Sequence, residues 1–285
     1  MVGTISVIGG DLRQLTLAEA LAADGNQVRV YGFEKHQETS GMTSDLDTAM
    51  QSDTIILPLP VSHDQVLLNA PFHIEAIPLE EVLLRLRPGQ RVFGGKISAE
   101  LRKRLSGIPC YDYFEREELS IANAIPTAEG AIEIALSELP KTLHQSRCLV
   151  VGYGRIGKVL ADRLRAFGAY VTVSARKYRD FAWIEAYGMT PIQTRELGEH
   201  AGEFDVIFNT VPHLIFGYDV LERLDPGCLL IDLASKPGGV DFAAAKELGV
   251  RVIWALSLPG KTAPITSGEM IKKTITNIIK EMEES

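Results

Sequence analysis

Apolar and polar positions along the chain alternate between two rhythms. Short apolar runs are followed by stretches in which apolar residues return every three to four positions. The first rhythm marks buried strands and the second marks helices with one apolar face. "TISVIGG" (4–10) opens the first series, with a helical stretch from Leu12 to Ala23 behind it. "QVRVYG" (27–32), "DTIILPLP" (53–60), "RVFGG" (91–95) and "IPCYDY" (108–113) follow as strands, with "LEEVLLRL" (79–86) and "SAELRKRL" (98–105) as helices. A second series begins at "RCLVVGYG" (147–154). It continues through "AYVTVSA" (169–175), "FDVIFNTV" (204–211), "CLLIDLAS" (228–235) and "VRVIWAL" (250–256), with helical stretches at 157–167, 217–224 and 241–248. Strands alternating with helices predict parallel sheets covered on both faces.

The expected fold class is therefore α/β: two doubly wound, Rossmann-like domains in tandem. Two apolar-faced segments lie outside the alternation. "PTAEGAIEIALSELPKTL" (126–143) carries Ala131, Ile132, Ala135, Leu136 and Leu139 at helical spacing, with Thr127 placed to cap its start. "SGEMIKKTITNIIKEMEE" (267–284) carries Met270, Ile271, Ile275, Ile278 and Ile279 on one side, and such a face must dock on something. The pattern predicts an N-terminal substrate domain at 1–125, a linking helix at 126–145 and a dinucleotide domain at 146–260. A C-terminal helix at 261–285 would return to the first domain. The two helices would cross between the domains and leave a cleft.

The bulk numbers narrow the function. The chain has 285 residues, 46% hydrophobic and 23% charged, with a formal net charge of −8. That charge argues against nonspecific nucleic-acid binding, and no basic block overrides it. The first residues, "MVGTISVIGG", read as a strand rather than a signal peptide, and no apolar run has the length of a membrane helix. The reading is a cytoplasmic protein. Cys110, Cys148 and Cys228 are far apart and show no metal or disulfide spacing. A homo-oligomer is compatible with the sequence.

The chemistry begins at Gly152-x-Gly154-x-x-Gly157, directly after a strand and at the start of a helix. Its first glycine permits the tight turn, the second admits a pyrophosphate close to the backbone, and the third lets helix and strand pack closely. Tyr153, Arg155 and Ile156 lie between these glycines: Arg155 can contact pyrophosphate, and Tyr153 is expected to cover it. The next strand of such a unit normally ends in Asp or Glu, which grips the adenine ribose. Here it ends in "SARK", so Ser174, Arg176 and Lys177 stand where the acid is expected. A hydroxyl and two cations suit a 2′-phosphate, which points to NADP rather than NAD. "FNTVP" (208–212) places Asn209, Thr210, Val211 and Pro212 at the end of the strand that borders the nicotinamide half. The start "VIGGDLRQL" (7–15) does not make the same motif, and its helix opens with an acid. Arg13 there is a candidate for a substrate carboxylate.

Taken together and in order, "VIGGDLRQL", "FEREELSIANAIPTAEGAI", "VVGYGRIGKVLADRLRAFGAYVTVSAR", "NTVP", "DLASKPGGVDF" and "LPGKTAPITSGEMI" resemble the dipicolinate synthase A-subunit family over nearly the whole chain. The resemblance implies NADP-dependent oxidation of dihydrodipicolinate, or its hydrated tetrahydrodipicolinate precursor in the lysine pathway, to dipicolinate. It places the protein in the mother cell of a sporulating bacterium, beside a flavoprotein-like B subunit. Two alternatives stay open: an NADP-binding accessory subunit whose partner is the catalyst, and a 2-hydroxyacid dehydrogenase-like enzyme.

A substrate with two carboxylates needs cations or hydroxyls. Lys236 in "ASKPGG" is the first candidate, in substrate binding and in catalysis. Arg13 and Thr266 come next, expected to converge with it on the cleft, and Asn123 and Thr127 stand behind them. Glu129, read as lying in the first turn of the linking helix, is a candidate base, or simply a carboxylate at a helix start. Of the six histidines only His213 is near the expected site. "FGGKIS" (93–98) is less constrained in that family's pattern, so Lys96 is a weaker candidate than its charge suggests. No metal is expected.

Overall fold

The computed structural model describes residues 3–36 and 41–284. The chain begins β1 (Thr4–Ile8), α1 (Leu12–Ala23), β2 (Gln27–Tyr31), α2 (Leu46–Ala49), β3 (Thr54–Ile56), α3 (Leu79–Leu83), β4 (Arg91–Gly94), α4 (Ala99–Arg104) and β5 (Cys110–Asp112). It continues through the long helix α5 (Glu117–Glu138) to β6 (Arg147–Val151), α6 (Arg155–Ala166), β7 (Tyr170–Ala175), α7 (Tyr178–Ala186), β8 (Thr190–Gln193) and α8 (Leu197–His200). The remainder is β9 (Val206–Asn209), α9 (Tyr218–Leu221), β10 (Leu229–Asp232), α10 (Phe242–Glu247), β11 (Arg251–Trp254), α11 (Leu258–Thr262) and α12 (Pro264–Glu283). Residues up to Asn123 together with those from Ala263 form one compact unit, and Ala124–Thr262 form a second.

In the first unit a parallel sheet runs β2-β1-β3-β4-β5. Successive strand residues face opposite sides, so the sheet feeds two cores. Val7, Val30, Ile56 and Phe93 pack on one side with α1 and α12, while Ile8, Ile55, Leu57 and Val92 pack on the other. β3 is shorter than "DTIILPLP" suggests, because Pro58 and Pro60 cannot donate to a ladder. Helix α12 buries Ile271, Ile275, Ile278 and Ile279 in the same cluster as Leu17, Ala18 and Leu21 of α1. The close approach occurs at Gly268, where a Cβ would stand 2.6 Å from the Arg13 carbonyl oxygen and 2.8 Å from Thr16. Gly268→Val is therefore expected to destabilise this unit by about 1–3 kcal/mol, the usual cost of overpacking. Chemical denaturation checks it, and an unchanged midpoint would contradict the close-packing account.

The second unit holds a six-stranded parallel sheet ordered β11-β10-β9-β6-β7-β8. Counted from β6, this is the 3-2-1-4-5-6 order of a dinucleotide-binding sheet. β6 lies at its centre, with Cys148, Leu149, Val150 and Val151 fully buried. β8 and α7 escape the sequence pattern. "TPIQ" is a half-exposed edge strand containing Pro191, and edge strands need no continuous apolar run. Burial pushes the Cys148 and Cys228 thiols up to about 12 and Cys110 up to about 11, so all three stay protonated at neutral pH.

Two helix starts differ from expectation. α5 begins at Glu117, not after Pro126, and Pro126 lies inside it. Glu117 and Glu118 in its first turn suit the positive end of the helix. Thr127 is thus an interior residue of the helix rather than its N-cap, and Glu129 sits well past the first turn. α12 begins at Pro264, the position in a helix where the missing N–H costs nothing. Thr266 therefore belongs to the first turn rather than preceding the helix. Among the described residues no helix is long and apolar enough to cross a membrane, and no His, Cys, Asp and Glu group could hold a metal.

Candidate functional site

The glycine loop of the second unit divides its labour among three glycines. Gly152 has φ +96°, and its N–H donates to the Ser174 carbonyl at 2.9 Å. A Cβ there would stand 2.6 Å from Thr210 Oγ1. A Cβ on Gly157 would collide with the Gly152 carbonyl oxygen, so this glycine sets how closely α6 meets β6. Gly154 is different: a Cβ on it would meet nothing within 4 Å. It is the N-cap of α6, and no side chain caps that helix. The loop thus leaves open space beside an uncapped helix N-terminus, which is what a pyrophosphate requires.

The first unit shows the contrast. The N-terminus of α1 is closed by Asp11, whose carboxylate accepts from Arg13 N at 3.0 Å, while Gln14 Oε1 accepts from Asp11 N at 3.2 Å. Leu68, Asn69 and Ala70 crowd the glycine turn at Gly9.

Tyr153 does not cover the second unit's loop. It is only 9% exposed, packs in the core, and has the Lys158 ammonium 5.5 Å from its ring centroid. Its apolar ring is more stable there than over a polar ligand, and burial raises its pKa. Ile156 packs against the same core, and Arg155 is exposed in the first turn of α6.

At the end of β7 the expected trio separates. Ser174 is fully buried, and its hydroxyl bonds Thr194 Oγ1 at 2.8 Å, so it is not available to a 2′-phosphate. Arg176 and Lys177 are exposed, and among the described residues neither makes an ion pair. Lys177 is the N-cap of α7 and makes no side-chain cap bond. β8 runs beside β7, so Arg195 follows the neighbouring strand end, although it pairs with Glu196 at 3.3 Å.

Asn209 also departs from its expected role. It is fully buried; its amide donates to Asp232 Oδ1 at 2.8 Å and to the Val211 carbonyl at 3.1 Å. It ties β9 to β10 instead of lying against a ribose. Thr210 Oγ1 donates to the Val151 carbonyl at 2.8 Å, and Thr210 and Val211 form a floor beneath Gly152. Pro212 and His213 lie beyond them, and both are exposed.

Asp232 is the residue that sequence reasoning missed. Its buried carboxylate also accepts from the Ala234 and Gly239 N–H groups at 3.0 and 2.9 Å. A carboxylate at a strand end carries no sequence signal of what it will anchor. Here it shapes the turn that presents Lys236, which is exposed and without an ion pair among the described residues.

Other candidates have partners already. The Arg13 guanidinium is bonded to Asp11 through Nε at 2.9 Å and Nη2 at 2.8 Å, and to the Leu59 carbonyl at 2.7 Å. With its side chain 9% exposed, it serves the turn after β1 rather than standing open to a ligand. Glu129 is exposed on α5 and faces Arg163 of α6 at 3.5 Å, well along α6 from its glycine end. Asn123 and Thr127 are half-buried within α5, and Thr266 is exposed at the start of α12.

Residues 4–114 match the family of the N-terminal domain of the dipicolinate synthase A subunit. Over 98% of its length the chain is 34% identical to the dipicolinate synthase A subunit of Bacillus subtilis, covering 96% of that protein. The chain belongs to the dipicolinate synthase A-subunit family. The crystal structure of the Bacillus subtilis protein superimposes with a TM-score of 0.87 at 33% identity, covering 99% of this chain and 97% of that one. That of the A subunit from Bacillus halodurans gives 0.86 at 30% identity, covering 96% and 97%. Residues 127–241 match "D-isomer specific 2-hydroxyacid dehydrogenase, NAD binding domain". This member of the dipicolinate synthase A-subunit family is an oxidoreductase with a nicotinamide-cofactor domain in its second unit.

Proposed function

We propose that the protein oxidises dihydrodipicolinate, or its hydrated precursor, to dipicolinate with NADP, beside a B subunit in the mother cell of a sporulating bacterium. The observation that carries the cofactor choice is the acid-free end of β7, where Arg176 and Lys177 stand exposed in the same unit as an open, uncapped glycine loop. The first-turn amides of α6 would hold the pyrophosphate, and Arg176 and Lys177 would hold the 2′-phosphate. Arg155, exposed in that turn, would add its charge to the pyrophosphate. When bound, the cofactor supplies the hydride acceptor. The ring also releases a proton as it becomes an aromatic pyridine. The protein's own work is to orient the two carboxylates, and Lys236, exposed in the turn whose ends the Asp232 carboxylate holds, would take one of them.

A second reading, an accessory subunit whose partner catalyses, is favoured by one observation: Glu129, the candidate base, is engaged by Arg163. Titration calorimetry tests the cofactor choice. NADP is expected to bind at least about tenfold more tightly than NAD, and equal affinities would contradict it.

Lys236→Ala is expected to raise KM for the dicarboxylate more than about tenfold, since truncating an ionic contact commonly costs about 2–5 kcal/mol. NADP affinity should stay near wild type. Steady-state kinetics of the variant checks this, and unchanged kinetics would remove Lys236 from the site.

A further inference from the structure

The first unit has a strained lysine at the edge of its sheet where α/β folds bind ligands. Lys96 follows β4 at the C-terminal edge of the parallel sheet, and its φ is +58°. A side chain in this left-handed region costs free energy, and glycine or asparagine would fit there with less strain. The surrounding structure nevertheless enforces the conformation. Asp112, at the end of β5, accepts from Lys96 N at 3.0 Å and from Ile97 N at 2.6 Å. Gly95 donates to the Pro58 carbonyl at 3.0 Å and accepts from Val61 N at 3.0 Å. A Cβ on Gly95 would stand 2.6 Å from Leu59 Cδ1 and 2.8 Å from Tyr113, so the turn is fixed by packing as well.

This clamp presents an exposed ammonium that has no ion pair among the described residues. Gln65, another non-glycine residue with positive φ (+67°), lines the same small cavity as Lys96, Ser62, Ser98 and Arg104, and Arg104 is paired with Glu80. Strain that a fold over-determines at a ligand-binding edge points to function. Arg13, the cation expected on this edge, is sealed by Asp11 and the Leu59 carbonyl.

We propose that Lys96, not Arg13, is the cation by which the first unit receives a carboxylate of the substrate, and that the turn at Gly94–Ile97 is built to present it. The assignment rests on the dicarboxylate reading of the proposed function. A flexible point charge on a fixed backbone positions a carboxylate without needing the bidentate geometry of arginine.

The test uses the full chain loaded with NADP, wild type against Lys96→Asn, with Lys96→Arg as the conservative variant. Asparagine suits the left-handed backbone, so Lys96→Asn should keep or raise the melting temperature. Three quantities are measured: affinity for pyridine-2,6-dicarboxylate, KM and kcat for dihydrodipicolinate, and affinity for NADP. In Lys96→Asn both dicarboxylate affinity and KM should worsen about tenfold or more, the scale of a lost ionic contact. Lys96→Arg should recover part of the loss, and NADP affinity should not move. Unchanged dicarboxylate binding in Lys96→Asn would overturn the assignment while leaving the proposed reaction standing. A wild type that binds pyridine-2,6-dicarboxylate with the expected Lys96 dependence, yet does not oxidise the dihydro compound, would overturn the reaction alone. No binding of the dicarboxylate to wild type would overturn both.

Discussion

Gly154→Val is expected to abolish dinucleotide binding, by more than about 100-fold, while leaving the fold intact. Its backbone is in an extended conformation that other residues adopt, and a Cβ added there meets nothing within 4 Å. The empty protein should therefore lose only about 1 kcal/mol, from a poorer N-cap residue. The same branched side chain would occupy the space beside the uncapped amides of α6. A structural turn would respond differently, since nothing around Gly154 needs that space. Fluorescence titration with the cofactor and a melting curve on the empty protein check the two halves. Tight binding by Gly154→Val would place the dinucleotide elsewhere. Gly157→Val would be a poorer probe, because its side chain strikes the Gly152 carbonyl and damages the unit itself.

Replacing Arg176 and Lys177 together by alanine should weaken NADP binding by about one to two orders of magnitude, and NAD binding far less. Both side chains are exposed, so solvent screening trims each contact below what a buried pair would show. With Ser174 held by Thr194, the two cations carry the discrimination, and Ser174→Ala should change the preference little. Competition between the two dinucleotides in one titration reads the ratio directly. Equal losses for both would contradict a 2′-phosphate site. Raising the salt concentration should erode NADP affinity more than NAD affinity in the wild type.

What the chain discloses by pattern and what it hides can be told apart residue by residue. The two parallel sheets are legible because buried strands are continuous apolar runs, as in "RCLVV" and "CLLID". The glycine loop is legible because each glycine answers a steric demand fixed by local geometry. The start of α5 is hidden because Pro126 reads as a helix boundary, while the surrounding packing accepts it inside the helix. β8 is hidden because an edge strand with Pro191 has no periodic signature. The site residues diverge for a different reason. Ser174, Asn209 and Arg13 have the right chemistry at the right strand ends, but Thr194, Asp232 and Asp11 claim their polar groups. Two of those partners lie 20 and 23 residues away in sequence, and no local pattern announces them. The reverse holds for Lys96, whose significance lies in a backbone angle held by Asp112, 16 residues on.

The most direct test of the central claim follows NADPH formation and pyridine absorbance together, on enzymatically generated dihydrodipicolinate, with and without the B subunit. The account predicts that both signals rise in equal amounts with NADP, and that the purified chain alone produces them. Pyridine absorbance appearing without NADPH, or NADPH formation that occurs only when the B subunit is present, would contradict it.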